Sequence, residues 1–144
     1  MELNIFISFP GVDQYLARPI HRYINEYYKS NKIKGSIYFS PSSNVLGEDW
    51  HDRLLIEIER ANVVVVFWTK NSSLSTGQLI EVGAAWALKK RILVVTHDIP
   101  PSSLPAMVLR ETQSIAYGRL TEIDFLERIR HWFPYLLDGN DFDN

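Results

Sequence analysis

The chain has 144 residues, of which 46% are hydrophobic and 22% charged, the composition of an ordinary globular protein. A net charge of −2 and an isoelectric point near 6.1 exclude a basic surface for nucleic acid or an anionic membrane. The lack of cysteine excludes disulfides, a thiolate nucleophile and Cys-type zinc sites. No cationic leader and no apolar run of about 18 residues occurs, so we expect a soluble, cytoplasmic protein.

Short apolar strands alternate with amphipathic helices along the chain. The predicted strands cover residues 3–8, 35–39, 63–68, 92–95 and 112–117. The predicted helices cover residues 13–28, 48–61, 76–90 and 122–133. Asp13 is the expected N-cap of the first helix. Pro19 requires either a kink or a late start of that helix, after a short turn at residues 12–17.

The central unit is residues 61–95. Its strand reads Val-Val-Val-Val-Phe-Trp, too apolar on both faces for a sheet that faces water, which predicts a central parallel strand. Ser75 and Gln78 have the spacing of a capping box for the next helix. We expect that helix to bury the stripe Leu79, Val82 and Trp86 and to approach the sheet closely through Gly83, Ala84 and Ala85.

This alternation predicts an α/β fold, a doubly wound parallel sheet with helices on both faces. We expect one domain over residues 1–137 and a disordered acidic tail over residues 138–144. Ligands of such folds bind beyond the carboxyl ends of the strands, where the strand order reverses. The loops at that edge are residues 8–13, 40–49, 69–78 and 96–104.

The sequence lacks the motifs of the common protein classes that have this fold. One glycine follows the first strand, not the G-x-G-x-x-G of a dinucleotide-binding domain, and no glycine and lysine form a P-loop. The carboxylates of a phospho-acceptor domain are missing from the ends of strands one and three. The four histidines lie on four separate elements, so we expect no metal site.

Glu81 is the one acidic residue between Gly77 and Lys89. A lone glutamate on a helix is most often a solvated surface residue. Gly77 and Gln78, however, lie one turn below it on the same face, beside the loop at residues 69–76. A carboxylate there can accept the hydroxyls of a ribose and stabilise an oxocarbenium-like centre at its anomeric carbon. A leaving group that departs as a neutral molecule, as nicotinamide does from its pyridinium form, needs no general acid to protonate it. One carboxylate can then suffice.

The sequence resembles a bacterial Toll/interleukin-1 receptor (TIR) domain over nearly its whole length. The resemblance rests on Ile5-Phe6-Ile7-Ser8-Phe9, Tyr38-Phe39-Ser40, Gly47-Glu48-Asp49-Trp50, residues 58–66, and Asn71-Ser72-Ser73-Leu74-Ser75 leading to Glu81. It implies a five-stranded flavodoxin-like sheet and, for many members, cleavage of NAD+ to nicotinamide and a linear, cyclic or conjugated ADP-ribose. NAD+ would be the substrate, with no other cofactor.

In this family the catalytic glutamate lies on the helix after the third strand, which corresponds to Glu81. By position, the residues that would line the substrate pocket are Ser8, Phe9, Ser40, Trp50, Trp68 and Asn71, together with Gly77 and Gln78 below the glutamate. Phe9 and Trp68 are the candidates for stacking on a base. Many catalytic members carry a tryptophan where this chain has Gly77.

Residues 76–90 also resemble the nucleophile segment of nucleoside 2-deoxyribosyltransferases, which use a glutamate at this place to attack a nucleoside C1′. Three functions therefore stay open: an NAD+-cleaving enzyme, a TIR interaction module that associates through residues 41–47, and a deoxyribosyltransferase or nucleotide N-glycosidase. The family resemblance further implies homo-oligomers through TIR–TIR contacts, a role in antiphage defence and a separate effector that responds to the product.

Overall fold

The structure is a computed structural model in which residues 2–39, 48–104, 113–116 and 131 are described. Five strands lie in these ranges: β1 (Ile5–Ser8), β2 (Ile37–Phe39), β3 (Val63–Trp68), β4 (Arg91–Thr96) and β5 (Gln113–Ala116). They form one sheet in the order β2-β1-β3-β4-β5, and every neighbouring pair is parallel. The predicted parallel α/β sheet is confirmed.

Three helices pack on the sheet: α1 (Gln14–Asn31), α2 (Glu48–Arg60) and α3 (Thr76–Ala87). Successive side chains of a strand point to opposite faces, so the sheet supports two separate cores. One core joins α1 to Ile5, Ile7 and Phe67. The other joins α2 and α3 to Phe6 and Val66. Helices therefore cover both faces, as the alternating sequence predicts.

The strand order places the switch point between β1 and β3. The chain leaves β1 in one direction to form β2 and then crosses back to form β3 on the other side. β3 is buried along its whole length, which explains why its sequence is apolar at every position rather than at alternate positions. The carboxyl ends of β1 and β3 thus lie side by side, where such folds bind ligands.

The start of α1 decides between the two alternatives that Pro19 left open. A 3-10 turn at Gly11–Asp13 leads directly into α1 at Gln14, and the helix then runs through Pro19 to Asn31. Of the two alternatives at Pro19, the late start is wrong, because the helix includes Pro19. Proline has no N–H, so it cannot donate the helical hydrogen bond at this position. Asp13 is the N-cap residue by position, but its carboxylate makes no capping hydrogen bond.

Several predicted features lie outside the described residues. These are Ser40, the loop at 41–47, the tail at 138–144 and, apart from His131, the helix at 122–133. None of the helices in the described part of the chain is long and apolar enough to cross a membrane.

Candidate active site

The inner face of α3 is not the face that the apolar pattern predicts. Leu79 and Trp86 are 42% and 47% exposed. The buried residues of α3 are Gln78, Glu81, Val82 and Ala85. A Cβ at Gly83 would meet no atom within 4 Å, so this glycine does not bring the helix close to the sheet. Two polar side chains therefore lie against the sheet, and the predicted stripe is correct only at Val82.

Gln78 fixes α3 at the switch point. Half of the predicted capping box forms, because Ser75 Oγ accepts a hydrogen bond from the backbone N–H of Gln78 at 3.3 Å. The Gln78 side chain does not return to Ser75. Its Nε2 donates instead to the carbonyl oxygens of Phe67 at 2.8 Å and Ser8 at 3.4 Å. Among the described residues, the buried Oε1 of Gln78 has no hydrogen-bond partner.

Glu81 lies one turn further along the same inner face and is completely buried. Its Oε1 accepts a hydrogen bond from Ser8 Oγ at 2.9 Å. Ser8 is the last residue of β1 and is also completely buried. The interpretation of Glu81 as a solvated surface residue is therefore wrong. Its carboxylate is held at the carboxyl end of β1, beside the switch point.

Tyr38 on β2 lies within electrostatic reach of this carboxylate, and Arg53 on α2 lies beside the Tyr38 ring. The Tyr38 ring stacks on Phe6 with 5.2 Å between ring centroids, and the guanidinium carbon of Arg53 lies 6.0 Å from the Tyr38 ring centroid. Burial raises the pKa of Tyr38, the charge of Arg53 lowers it, and Glu57 and Glu81 raise it. Sequence reasoning did not select Tyr38 or Arg53, since a half-buried tyrosine and a surface arginine carry no local signal.

Asn71 belongs to a second polar cluster at the same edge of the sheet. The nearly buried carboxylate of Asp13 accepts hydrogen bonds from Thr69 Oγ1 at 2.6 Å and from Asn71 Nδ2 at 3.2 Å. The backbone N–H of Asn71 donates to Thr69 Oγ1 at 3.0 Å. This cluster ties the loop after β1 to the loop after β3. The side chain of the predicted pocket residue Asn71 is thus engaged by Asp13.

The two predicted stacking residues, Phe9 and Trp68, belong to different faces of the sheet. Phe9 is completely buried in the core on the α1 face, with its ring centroid 4.5 Å from that of Phe39. Trp68 is nearly buried and borders a separate cleft of about 310 Å³. The other residues that line this cleft are Thr69, Lys70, Ser73, Leu79, Ile99 and Ser103. Glu81 does not line this cleft.

The remaining predicted site residues are only partly described. Gly77 lies in the first turn of α3, one turn before Glu81. Trp50 lies in the first turn of α2, and its side chain is outside what the structure describes. Ser40 falls outside the described residues altogether. The site that the structure assembles is therefore centred on Glu81, Ser8 and Gln78.

Comparison with known proteins agrees with this geometry at the level of the fold. The family model described as a TIR domain matches residues 5–132. The chain belongs to the TIR domain family. The TIR domain is also similar to a solved structure, the CMP N-glycosidase BcmB of Clostridium botulinum, with a TM-score of 0.56 and 14% sequence identity. That match covers 88% of this chain and 97% of BcmB, and at this identity it shows a shared fold. No curated protein matches the sequence.

Proposed function

We propose that this TIR domain is an enzyme that cleaves the bond between nicotinamide and ribose in NAD+, with Glu81 as its catalytic carboxylate. The observation that carries the proposal is the buried Glu81 side chain at the switch point, held by Ser8 at 2.9 Å. Buried carboxylates are rare unless a function or a partner requires them. NAD+ is the substrate, and the reaction needs no further cofactor.

The chemistry divides between the leaving group and the sugar. The electron pair of the C1′–N bond departs with nicotinamide, which leaves as a neutral molecule and needs no proton. Positive charge then develops on the ribose at C1′, and the negative charge of Glu81 stabilises it. Glu81 also accepts hydrogen bonds from the ribose hydroxyls. Gln78 Oε1, a buried acceptor without a partner among the described residues, is available to the same sugar.

Glu81 is completely covered in this structure, so substrate binding requires a movement that exposes its carboxylate.

The identity of the product depends on which group captures C1′ after nicotinamide has left. Water gives ADP-ribose, an internal adenine nitrogen or ribose hydroxyl gives a cyclic ADP-ribose, and a foreign acceptor gives a conjugate. We further propose that the product is a signal in bacterial antiphage defence, made in the cytoplasm and recognised by a separate effector protein.

Product analysis by mass spectrometry tests the proposal. Concentrated protein is incubated with NAD+, next to Glu81→Gln, which keeps the shape of the side chain and removes its charge. We expect nicotinamide and an ADP-ribose species from the native protein and a loss of turnover of about 10²–10³-fold in the variant. Glu59→Gln, the same substitution on an exposed residue of α2, is the matched control and should retain activity.

A nucleotide N-glycosidase is the second candidate, and the fold shared with the CMP N-glycosidase BcmB favours it. Both reactions place charge at the C1′ of a ribose and both would use Glu81. Incubation with CMP, other nucleotides and deoxynucleosides separates the two, because release of a base without cleavage of NAD+ would select the second candidate, and base exchange would select a deoxyribosyltransferase. Intact substrate in every reaction would favour a TIR interaction module.

We also propose that the enzyme is active as a homo-oligomer formed through TIR–TIR contacts. If a neighbouring subunit completes the site, turnover per subunit should increase with protein concentration. The measurement is the initial rate of nicotinamide release over a wide range of concentrations. A specific activity that stays constant from dilute to concentrated protein would contradict this part of the proposal.

A further inference from the structure

Ser8 is held by α3 at two atoms. Its hydroxyl donates to Glu81 Oε1 at 2.9 Å, and its carbonyl oxygen accepts from Gln78 Nε2 at 3.4 Å. Gln78 also binds the carbonyl oxygen of Phe67 at 2.8 Å, which fixes α3 against the end of β3. The position of the Ser8 hydroxyl relative to Glu81 is therefore set by backbone and side-chain contacts together.

The hydroxyl of Ser8 occupies a place where an apolar residue would otherwise be expected. Phe6, two residues earlier on the same face of β1, belongs to the apolar core with α2 and α3. Ser8 is as completely buried as Phe6. A buried hydroxyl is favourable only when it has a hydrogen-bond partner, and the carboxylate of Glu81 is that partner.

We propose that Ser8 is a positioning residue of this site, whose hydroxyl keeps the buried Glu81 carboxylate ionised and oriented towards the switch point. Its catalytic consequence rests on the proposed function above. Burial favours the neutral form of a carboxyl group, whereas a hydrogen bond donated to the charged form favours ionisation. Only the ionised form can stabilise positive charge at C1′. A hydroxyl that donates to Glu81 thus preserves the form of the residue that the reaction needs.

Other charged and titratable groups face the same region. They are Tyr38 on β2, and Arg53 and Glu57 on α2, which act on Tyr38 together with Glu81. Asp13, in the turn after β1, is engaged by Thr69 and Asn71. All of these groups remain when the Ser8 hydroxyl is removed. A change in the titration of Glu81 on that removal can then be assigned to the lost hydrogen bond.

The variant that tests the proposal is Ser8→Ala, which removes the donor and retains the backbone carbonyl that Gln78 binds. We expect the acid limb of the kcat/KM profile to move to higher pH by about one to two units, because a hydrogen bond to a charged group contributes about that much. KM for NAD+ should change little, while kcat should fall about tenfold or more. A residue with a merely structural role would leave the pH profile in place.

Ser8→Thr keeps the hydroxyl and should return the acid limb to its native position. Should its extra methyl group disrupt the fold, Ser8→Cys, with a weaker donor, should give an intermediate position. Ser36→Ala is the matched control. The Ser36 hydroxyl donates to Asn4 Oδ1, and both residues immediately precede a strand, so this hydrogen bond lies at the amino ends of β1 and β2, away from Glu81. Circular dichroism and thermal unfolding verify that each variant is folded.

A direct titration separates this inference from the proposed function. In protein labelled with ¹³C at the glutamate carboxyl groups, the Glu81 signal is identified by its loss in Glu81→Gln. We expect its titration midpoint to rise by about one to two pH units in Ser8→Ala. An unchanged midpoint would overturn the role of Ser8, whatever the activity. Failure of the native protein to cleave NAD+ would overturn the proposed function and leave the NMR result to decide the role of Ser8.

Discussion

The Nε2 atom of Gln78 donates a hydrogen bond to the carbonyl oxygen of Phe67 at 2.8 Å. Gln78 is buried, whereas its neighbours Gly77 and Leu79 are partly exposed. Phe67 is the second-to-last residue of β3 and lies one residue beyond Val66, the last residue of β3 that pairs with β1. A buried carbonyl at such an end needs a donor from elsewhere in the chain. Gln78 supplies it and so determines the rotation of α3.

Substitution of Gln78 should therefore cost more stability than substitution of its apolar neighbour. We expect Gln78→Ala to lower the free energy of unfolding by about 2–4 kcal/mol, because it removes a hydrogen-bond donor from two strand-end carbonyls and opens a cavity. Leu79→Ala, at a residue that is 42% exposed, should cost about 1 kcal/mol or less. Urea unfolding of both variants gives the comparison. A larger loss for Leu79→Ala would mean that α3 is rotated as the sequence pattern predicts.

The rotation of α3 shows where sequence reasoning reaches its limit. The strands and their parallel order follow from runs such as Val63 to Trp68, because burial on both faces leaves a local signal. α3 is apolar on its exposed side as well as its buried side, so periodicity cannot assign its inner face. Gln78 faces inward because strand ends 11 and 70 residues away need a donor.

Asp13 illustrates the same limit. Its position at the start of α1 is as predicted, but the groups that bind its carboxylate come from Thr69 and Asn71, 56 and 58 residues away. The location of the switch point, and of Glu81 near it, could be predicted because topology places the carboxyl ends of parallel strands together. The individual partners in the site could not, since each depends on a long-range contact.

The Asp13–Thr69 hydrogen bond should couple the two loops at the edge of the sheet. Thr69→Val keeps the shape of the side chain and leaves a nearly buried carboxylate without its closest donor. In a double-mutant cycle with Asp13→Asn, we expect a coupling free energy of about 1.5–3 kcal/mol, measured by chemical unfolding. Asp98→Asn, on a side chain that is 80% exposed, is the control and should change stability by less than about 0.5 kcal/mol. Additive effects at residues 13 and 69 would contradict the coupling.

The same substitution should have opposite effects at two glycines. Gly35 has a φ of 149°, and a Cβ there would lie 1.9 Å from the backbone oxygen of Leu3, which cannot move aside. We expect Gly35→Ala to destabilise the protein by about 4 kcal/mol or more. Gly83 lies in α3 with open space around it, and Gly83→Ala should stabilise the protein by about 1 kcal/mol through helix propensity. Thermal unfolding measures both effects, and a destabilising Gly83→Ala would show that the outer face of α3 is in contact with another group.

The pKa of Tyr38 depends on the charge of Glu81 and can be measured without substrate or turnover. Burial is the largest cause of the raised pKa of Tyr38; Arg53 lowers that pKa, and Glu57 and Glu81 raise it. Glu81→Gln removes a negative charge that opposes formation of the phenolate, so the pKa of Tyr38 should fall. Arg53→Gln removes the positive charge near the ring, so the pKa should rise. In both variants it should stay above the value of a free tyrosine, because burial is unchanged.

The measurement is NMR of tyrosine labelled with ¹³C at Cζ, followed from about pH 8 to about pH 12, where phenols ionise. Arg18→Gln serves as the control, because Arg18 lies on α1, across the sheet from Tyr38, and its loss should leave the Tyr38 curve in place. If Glu81→Gln leaves the curve unchanged, Glu81 is not close enough to Tyr38 to act on it, and Tyr38 would not border the site. Opposite shifts in Glu81→Gln and Arg53→Gln would place the phenol between the carboxylate of α3 and the cation of α2. Tyr38 and Arg53 would then be the next residues to substitute in the assay for nicotinamide release.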